Sequence, residues 1–213
     1  MNIDYPIIID SLGSMDRAKE AFKAGEIIAY PTETFYGLCA DPFNADAIRD
    51  LFLLKGRPAN EPISLIISDR SMLDKLVKDV PKLAEELMDK YWPGPLTLVF
   101  EAAKSIDPLI TAETGLIGIR ISSSPVATKL AAALQSPITA TSANPSGLTP
   151  AMSAEDVDKY FSGNIAVIIN SSKDDDTGER RKSLGSTVVK ITGDRLEILR
   201  EGDIPSADFY KNS

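Results

Sequence analysis

The chain has 213 residues, 43% of them hydrophobic, which is enough to bury a sizeable core, most simply as one domain over residues 1–213. Its 23 basic and 31 acidic residues give a formal charge of −8, which argues against a general nucleic-acid coat and makes any local cluster of cations conspicuous. Histidine is absent and Cys39 is the one cysteine, so imidazole bases, Ser-His-Asp and Cys-His nucleophile systems, His- or Cys-based zinc sites and an internal disulfide are excluded together.

In chain order, Pro6 to Ile9 reads as a strand and Met15 to Ala24 as a helix capped by Ser14 and stopped by Gly25. No cationic stretch runs into an apolar core here, and no apolar run reaches membrane-spanning length, so a soluble cytoplasmic protein with no membrane contact is expected. Ile27 to Tyr30 is a buried strand, followed by Tyr36-Gly37-Leu38, read as a turn, and by Cys39, read as a small buried hydrophobe. Asn44 caps a helix from Ala45 to Leu54 that ends at Gly56, Ile63 to Ile67 is a strand, and helices run from Met72 to Val77 and from Pro81 to Tyr91. Trp92-Pro93-Gly94-Pro95 stops the second of these. Leu96 to Phe100 and Gly118 to Ile121 are strands joined by a loop containing Pro108.

The second half repeats the alternation. Pro125 to Leu134 and Ala154 to Phe161 are helices, and Ile138 to Ala140 and Ala166 to Ile169 are strands. From 171 to 184 an acidic run and a basic run follow each other in a polar stretch that cannot bury itself, so a mobile loop is predicted, either a lid or a tolerated insertion. Thr187 to Ile191 and Arg195 to Leu199 form a hairpin across Thr192-Gly193-Asp194. The class is α/β: a single domain with a twisted mixed β-sheet and flanking helices around a concave site.

Two segments carry the chemistry. Lys55-Gly56-Arg57-Pro58 puts a point charge and a planar, forked cation at a helix end, and Ser142-Ala143-Asn144-Pro145-Ser146-Gly147, after Thr139-Ala140-Thr141, puts hydroxyl and amide groups on a turn after a buried strand. Together they suit a polyanion. Taken singly, the first is explained by dipole complementarity at a helix C-terminus and the second by ordinary turn chemistry.

With Tyr30-Pro31-Thr32-Glu33-Thr34-Phe35-Tyr36-Gly37-Leu38, Trp92-Pro93-Gly94-Pro95-Leu96-Thr97, Gly118-Ile119-Arg120, Gly185-Ser186-Thr187-Val188 and Leu199-Arg200-Glu201-Gly202, these form an ordered set along almost the whole chain. That set resembles the YrdC-like family of threonylcarbamoyl-adenylate synthases, in its single-domain form. The resemblance implies that L-threonine takes up bicarbonate to give a carbamate, which attacks the α-phosphorus of ATP and expels pyrophosphate. It further implies that the product serves downstream threonylcarbamoyl-transfer proteins in tRNA modification. The implied catalytic residues are Lys55 and Arg57. The implied ATP contacts are Lys55, Arg57, Glu61, Leu116, Ser142, Asn144, Pro150 and Arg200, those near Glu61, Leu116 and Pro150 through main-chain groups. Thr34, Arg120, Ala140 and Ser186 are implied around L-threonine. Magnesium is expected to arrive with ATP, with no protein metal ligands and no tightly bound organic cofactor.

Two other readings stand beside this one: a YrdC-like module binding double-stranded RNA or tRNA, and a sister of the same fold without synthase activity. Ser142 and Asn144 count against the second. Carbamoyl-transferring relatives with extra zinc-binding domains are excluded by length and by the single cysteine. The segment Glu61-Pro62-Ile63-Ser64-Leu65-Ile66 departs from the Asn-Pro-Leu of many relatives, and from the following histidine of some, which implies a threonine pocket that differs in detail.

Overall fold

Short apolar runs form the strands, several of them buried along their whole length. The computed structural model describes residues 7–10, 15–170 and 183–210; Pro6, Ser14 and most of the predicted loop at 171–184 lie outside the described residues. The first half contains β1 (Ile7–Asp10), α1 (Met15–Lys23), β2 (Ile28–Pro31), β3 (Tyr36–Cys39), α2 (Ala45–Lys55), β4 (Leu65–Ile66) and α3 (Lys82–Tyr91). It is followed by β5 (Leu96–Glu101), β6 (Leu116–Arg120), α4 (Pro125–Leu134), β7 (Ile138–Thr139), β8 (Thr141–Ser142), α5 (Ala154–Phe161), β9 (Val167–Asn170), β10 (Thr187–Thr192) and β11 (Arg195–Arg200).

The mixed α/β class is as expected, but the single sheet is replaced by two. One has the order β1-β9-β2-β3-β8 and the other β11-β10-β5-β6-β4-β7, both mixing parallel and antiparallel pairs. The predicted strand Ile138 to Ala140 is the seam. β7 closes the edge of one sheet against β4, and two residues later β8 closes the edge of the other against β3, so the chain changes sheets at Ala140. The Thr139 hydroxyl fastens this crossing: it accepts from the Ala40 amide at 2.8 Å and donates to the Leu38 carbonyl at 2.7 Å, while the Tyr30 hydroxyl donates to the Thr139 carbonyl at 2.8 Å.

Other boundaries moved for physical reasons. Tyr36-Gly37-Leu38 is strand, not turn: Gly37 pairs with Tyr30 and with Ser142, and a Cβ on Gly37 would lie 3.0 Å from the Tyr30 ring. Glycine there permits close strand approach rather than reversal. Met72 to Val77 does not form an α-helix; a 3₁₀ segment at Arg70–Lys75, capped by Asp69, takes its place. The predicted strand at Ile63 to Ile67 pairs only at Leu65 and Ile66.

Alternation explains why the centre of the five-stranded sheet, β2, β3 and β9, is apolar on both faces. Ile28, Tyr30, Cys39, Val167 and Ile169 pack with α1 and α4, while Ala29, Leu38 and Ile168 join Leu98, Ile119 and Val189 of the other sheet in the main core. Each fully buried isoleucine contributes about 1.5–3 kcal/mol. Cys39 is wholly buried, as expected, and burial raises its thiol well above the ordinary value.

α2 shows how local sequence aims functional groups. Asn44 accepts from the amides of Asp46 and Ala47, and at the far end Gly56, at φ 59°, donates to Leu53 O at 3.1 Å while Arg57 N–H donates to Phe52 O at 3.0 Å. This left-handed exit separates Lys55, inside the last helical turn, from Arg57, outside it.

Candidate active site

A cavity of about 410 Å³ lies where the two sheets meet. Its wall on the six-stranded sheet follows a cross-strand row: Arg200 pairs with Val188, and Val188 with Thr97. Arg120, at the end of β6, adds to the same wall, and the opposite side comes from the β2–β3 loop and from Ala140 to Ser142. Of the residues named from sequence, Thr34, Arg57, Arg120, Ala140, Ser142, Pro150, Ser186 and Arg200 all line this one cavity. They come from segments separated by as much as most of the chain.

Lys55, Glu61, Asn144 and Leu116 do not line it. Lys55 is 3% exposed, and its ammonium donates to the carbonyls of Ser142 and of Asn144, the latter at 2.6 Å; its own carbonyl accepts from Ser146 N–H at 2.8 Å. Lys55 therefore ties the Ser-Ala-Asn turn to the end of α2. Burial, and then the charge of Arg57, pull its pKa from 10.5 to about 8. Asn144 is buried too, and its amide donates to Pro145 O at 2.9 Å and Leu148 O at 2.7 Å, closing the turn upon itself. Leu116 stands at the opposite end of β6 from Arg120, paired with Glu101.

Glu61 acts on Arg57. The Arg57 Nε donates to Glu61 O at 3.1 Å, one terminal nitrogen donates to Pro62 O at 2.8 Å, and the other lies 3.4 Å from the Glu61 carboxylate and from Thr141 Oγ1. Glu61 thus places a counter-ion beside Arg57. Burial lowers the Arg57 pKa, which the Glu61 charge opposes.

Arg200 keeps contact with solvent at the rim and grips Ser186, donating to its carbonyl from Nε at 3.2 Å and from Nη2 at 2.8 Å, and to its hydroxyl at 3.0 Å. Burial of its inner edge, and then the charge of Arg120, lower its pKa. Thr97 Oγ1 donates to the same Ser186 hydroxyl at 2.9 Å. With both its lone pairs engaged, Ser186 has its own hydrogen left for a ligand oxygen. Thr34 shares a 3.0 Å hydrogen bond with the Thr32 hydroxyl, which also donates to Phe35 O at 2.6 Å.

Sequence reasoning missed Thr32, Ser64, Thr97 and Thr141 as lining groups. Ser64 enters because Gly118 has no side chain: a Cβ there would stand 2.7 Å from Ser64 Oγ and 2.9 Å from Thr97 Cγ2. The glycine between the two hydroxyl residues was the available signal, but its neighbours lie on other strands. Among the described residues no group of three or more His, Cys, Asp or Glu side chains could hold a metal ion, and no helix is long and apolar enough to cross a membrane.

Fold and cavity define a mixed α/β protein with a cationic, hydroxyl-lined pocket suited to a small polyanion. The sequence profile of the Sua5/YciO/YrdC family, described as "Telomere recombination", matches residues 20–202, and the chain belongs to that family. It is 36% identical over 189 residues to the threonylcarbamoyl-AMP synthase of Pyrococcus abyssi, covering 89% of this chain and 54% of the relative. To the threonylcarbamoyl-AMP synthase of Bacillus subtilis it is 35% identical over 202 residues, covering 92% and 57%. The chain thus spans little more than half the length of these curated relatives. Among solved structures, that of P. abyssi Sua5 complexed with L-threonine superposes with a TM-score of 0.86 at 34% identity, covering 95% of this chain and 58% of that one.

Proposed function

We propose that the chain is a threonylcarbamoyl-AMP synthase, a nucleotidyltransferase that joins L-threonine, bicarbonate and ATP into threonylcarbamoyl-AMP and pyrophosphate. The observation that carries this is the convergence of Arg57, Arg120 and Arg200 on one hydroxyl-lined cavity, in a chain whose relatives bear that name. Binding of L-threonine by the P. abyssi relative supports the amino-acid half.

The chemistry asks for positioning and charge neutralisation rather than a protein nucleophile, in keeping with a chain that has no histidine and whose one cysteine is buried. The amine nitrogen of threonine bonds to the bicarbonate carbon, and hydroxide leaves as water with a proton from the amine. A carbamate oxygen then bonds to the α-phosphorus as the bond to pyrophosphate breaks. In this reading Arg120, Thr34 and the free hydrogen of Ser186 receive the amino acid, while Arg57, Arg200 and Ser142 face the phosphates. Lys55 and Asn144 support the nucleotide side by holding the turn that bears Ser142. Magnesium is assigned to the substrate, travelling with the phosphates of ATP. The product passes to threonylcarbamoyl-transfer proteins that modify tRNA.

Arg57 and Arg120, with side chains 18% and 7% exposed, offer little surface to the backbone of a nucleic-acid duplex, which favours the small-molecule reading. The test is incubation with ATP, L-threonine, bicarbonate and magnesium, following pyrophosphate and the adenylate by mass. Pyrophosphate release is expected only when threonine and bicarbonate are both present. Equal release without threonine would replace the synthase by a general ATPase.

A further inference from the structure

The turn Pro31-Thr32-Glu33-Thr34 lines the cavity through both of its threonines, yet its acidic member has no part in the reading above. The Glu33 side chain is 15% exposed, and its Oε1 lies 3.3 Å from Nη1 of Arg120, itself 7% exposed. Its other oxygen, Oε2, accepts from the hydroxyl of Ser122, which is wholly buried two residues beyond Arg120. Ser122 Oγ in turn accepts from Ser124 N–H at 3.1 Å, and Ser124 Oγ donates to Pro31 O at 2.9 Å. The β2–β3 loop and the bend between β6 and α4 are therefore locked together around this carboxylate.

The lock is incomplete in one respect. Glu33 Oε1 and Arg120 Nε are both buried, and among the described residues neither has a hydrogen-bond partner, Oε1 meeting only the charge of Arg120 Nη1. A purely structural Arg–carboxylate pair gains most by facing both nitrogens to both oxygens. Here one oxygen is given to Ser122, so the guanidinium meets the carboxylate through one nitrogen and keeps its Nε edge unused. Buried polar groups are rarely left without partners, and an atom that the protein leaves open is completed by ordered water or by a ligand. Arg120 and Arg200 also repel each other across the wall, and Glu33 is the counter-charge beside Arg120.

We propose that Glu33 is a positioning residue: held by Ser122, it pins one edge of Arg120 and reserves the rest of the guanidinium for the carboxylate of an α-amino acid. This rests on the amino-acid substrate put forward above. Glu33 acts through Arg120, its own oxygens being shielded. Losing the carboxylate leaves a poorly hydrated guanidinium opposite a second arginine, so Arg120 is expected to turn away from its seat.

The test is calorimetric titration of L-threonine, and separately of ATP, into the wild-type protein, Glu33→Gln, Glu33→Asp and Ser122→Ala. Glu33→Gln keeps the size and loses the charge; it should weaken threonine by about tenfold and leave ATP within about twofold, a split that general loss of structure would not produce. Glu33→Asp should recover threonine affinity to within about threefold of wild type. If Glu33→Gln fails to melt cooperatively, Ser122→Ala carries the test, with an expected loss of about threefold for threonine alone. Threonine binding equal to or tighter than wild type in the informative variant, or an equal loss for ATP, overturns the proposal. A wild-type protein that does not bind threonine overturns both this and the synthase reading. One that binds threonine, shows the split and yet releases no pyrophosphate overturns the synthase reading alone.

Discussion

Arg57 and Asn144 come from the two segments with the strongest chemical signal, and the structure gives them different work. Arg57 lines the cavity, anchored by carbonyls on one edge, so Arg57→Ala should raise the Kd for ATP by about tenfold or more with little change in melting temperature. Asn144 holds Pro145 and Leu148 by two hydrogen bonds from a buried amide. Asn144→Ala should therefore cost about 1–3 kcal/mol in urea unfolding and affect ATP only through the displaced Ser142. Equal stability of the two variants, with equal loss of ATP binding, would put Asn144 on the nucleotide after all. The same division applies to Thr97, whose hydroxyl directs that of Ser186. Identical residue types serve as contact or as support according to neighbours that lie far away in sequence.

At the scale of elements, the junction between α2 and the Ser-Ala-Asn turn contains a pH-dependent fastening. Lys55 titrates at about 8 when folded, against an ordinary 10.5. Between those values the unfolded chain holds the proton that the folded chain has released, so this group's contribution to stability rises with pH across the window. Below pH 8 the full penalty of burying the ammonium is present, about 3 kcal/mol as an order of magnitude. Wild type should therefore gain stability relative to Lys55→Met as the pH is raised from about 7.5 to about 10 in urea titrations; a constant difference would contradict the buried ammonium.

A second element-level device is Gly202, packed on the backbone of Gly185, Ser186 and Thr187. A Cβ there would overlap those backbone atoms, which no rotamer change can relieve. Gly202→Ala is expected to destabilise the protein by about 1–3 kcal/mol and to weaken threonine binding, because it displaces the segment leading into β10, which carries Ser186. Calorimetric melting and threonine titration test both halves.

For the molecule as a whole, the cavity belongs to neither sheet alone, so ligands that fill it should join them. ATP at about a hundred times its Kd should stabilise the fold by about 2.7 kcal/mol, read as a rise in melting temperature, with threonine adding to it. A rise confined to conditions without magnesium would speak against the nucleotide arriving with its cation.

Much of this protein was determined by short-range sequence alone. The absence of histidine and the single cysteine set the available chemistry, Asn44 and Gly56 marked both ends of α2, and the Gly193-Asp194 turn joined β10 to β11. Such signals are read locally because a cap or turn is satisfied by residues within one turn of it. Tertiary structure alone decided that Gly37 lies in a strand, that Ala140 passes between two sheets, that Lys55 faces carbonyls rather than the cavity, and that Glu33 meets Arg120 and Ser122. In each case the deciding partner lies elsewhere in the chain, 89 residues away for both Lys55 to Asn144 and Glu33 to Ser122, and the energy of burying a charge depends on that partner rather than on the residue's own neighbours in sequence.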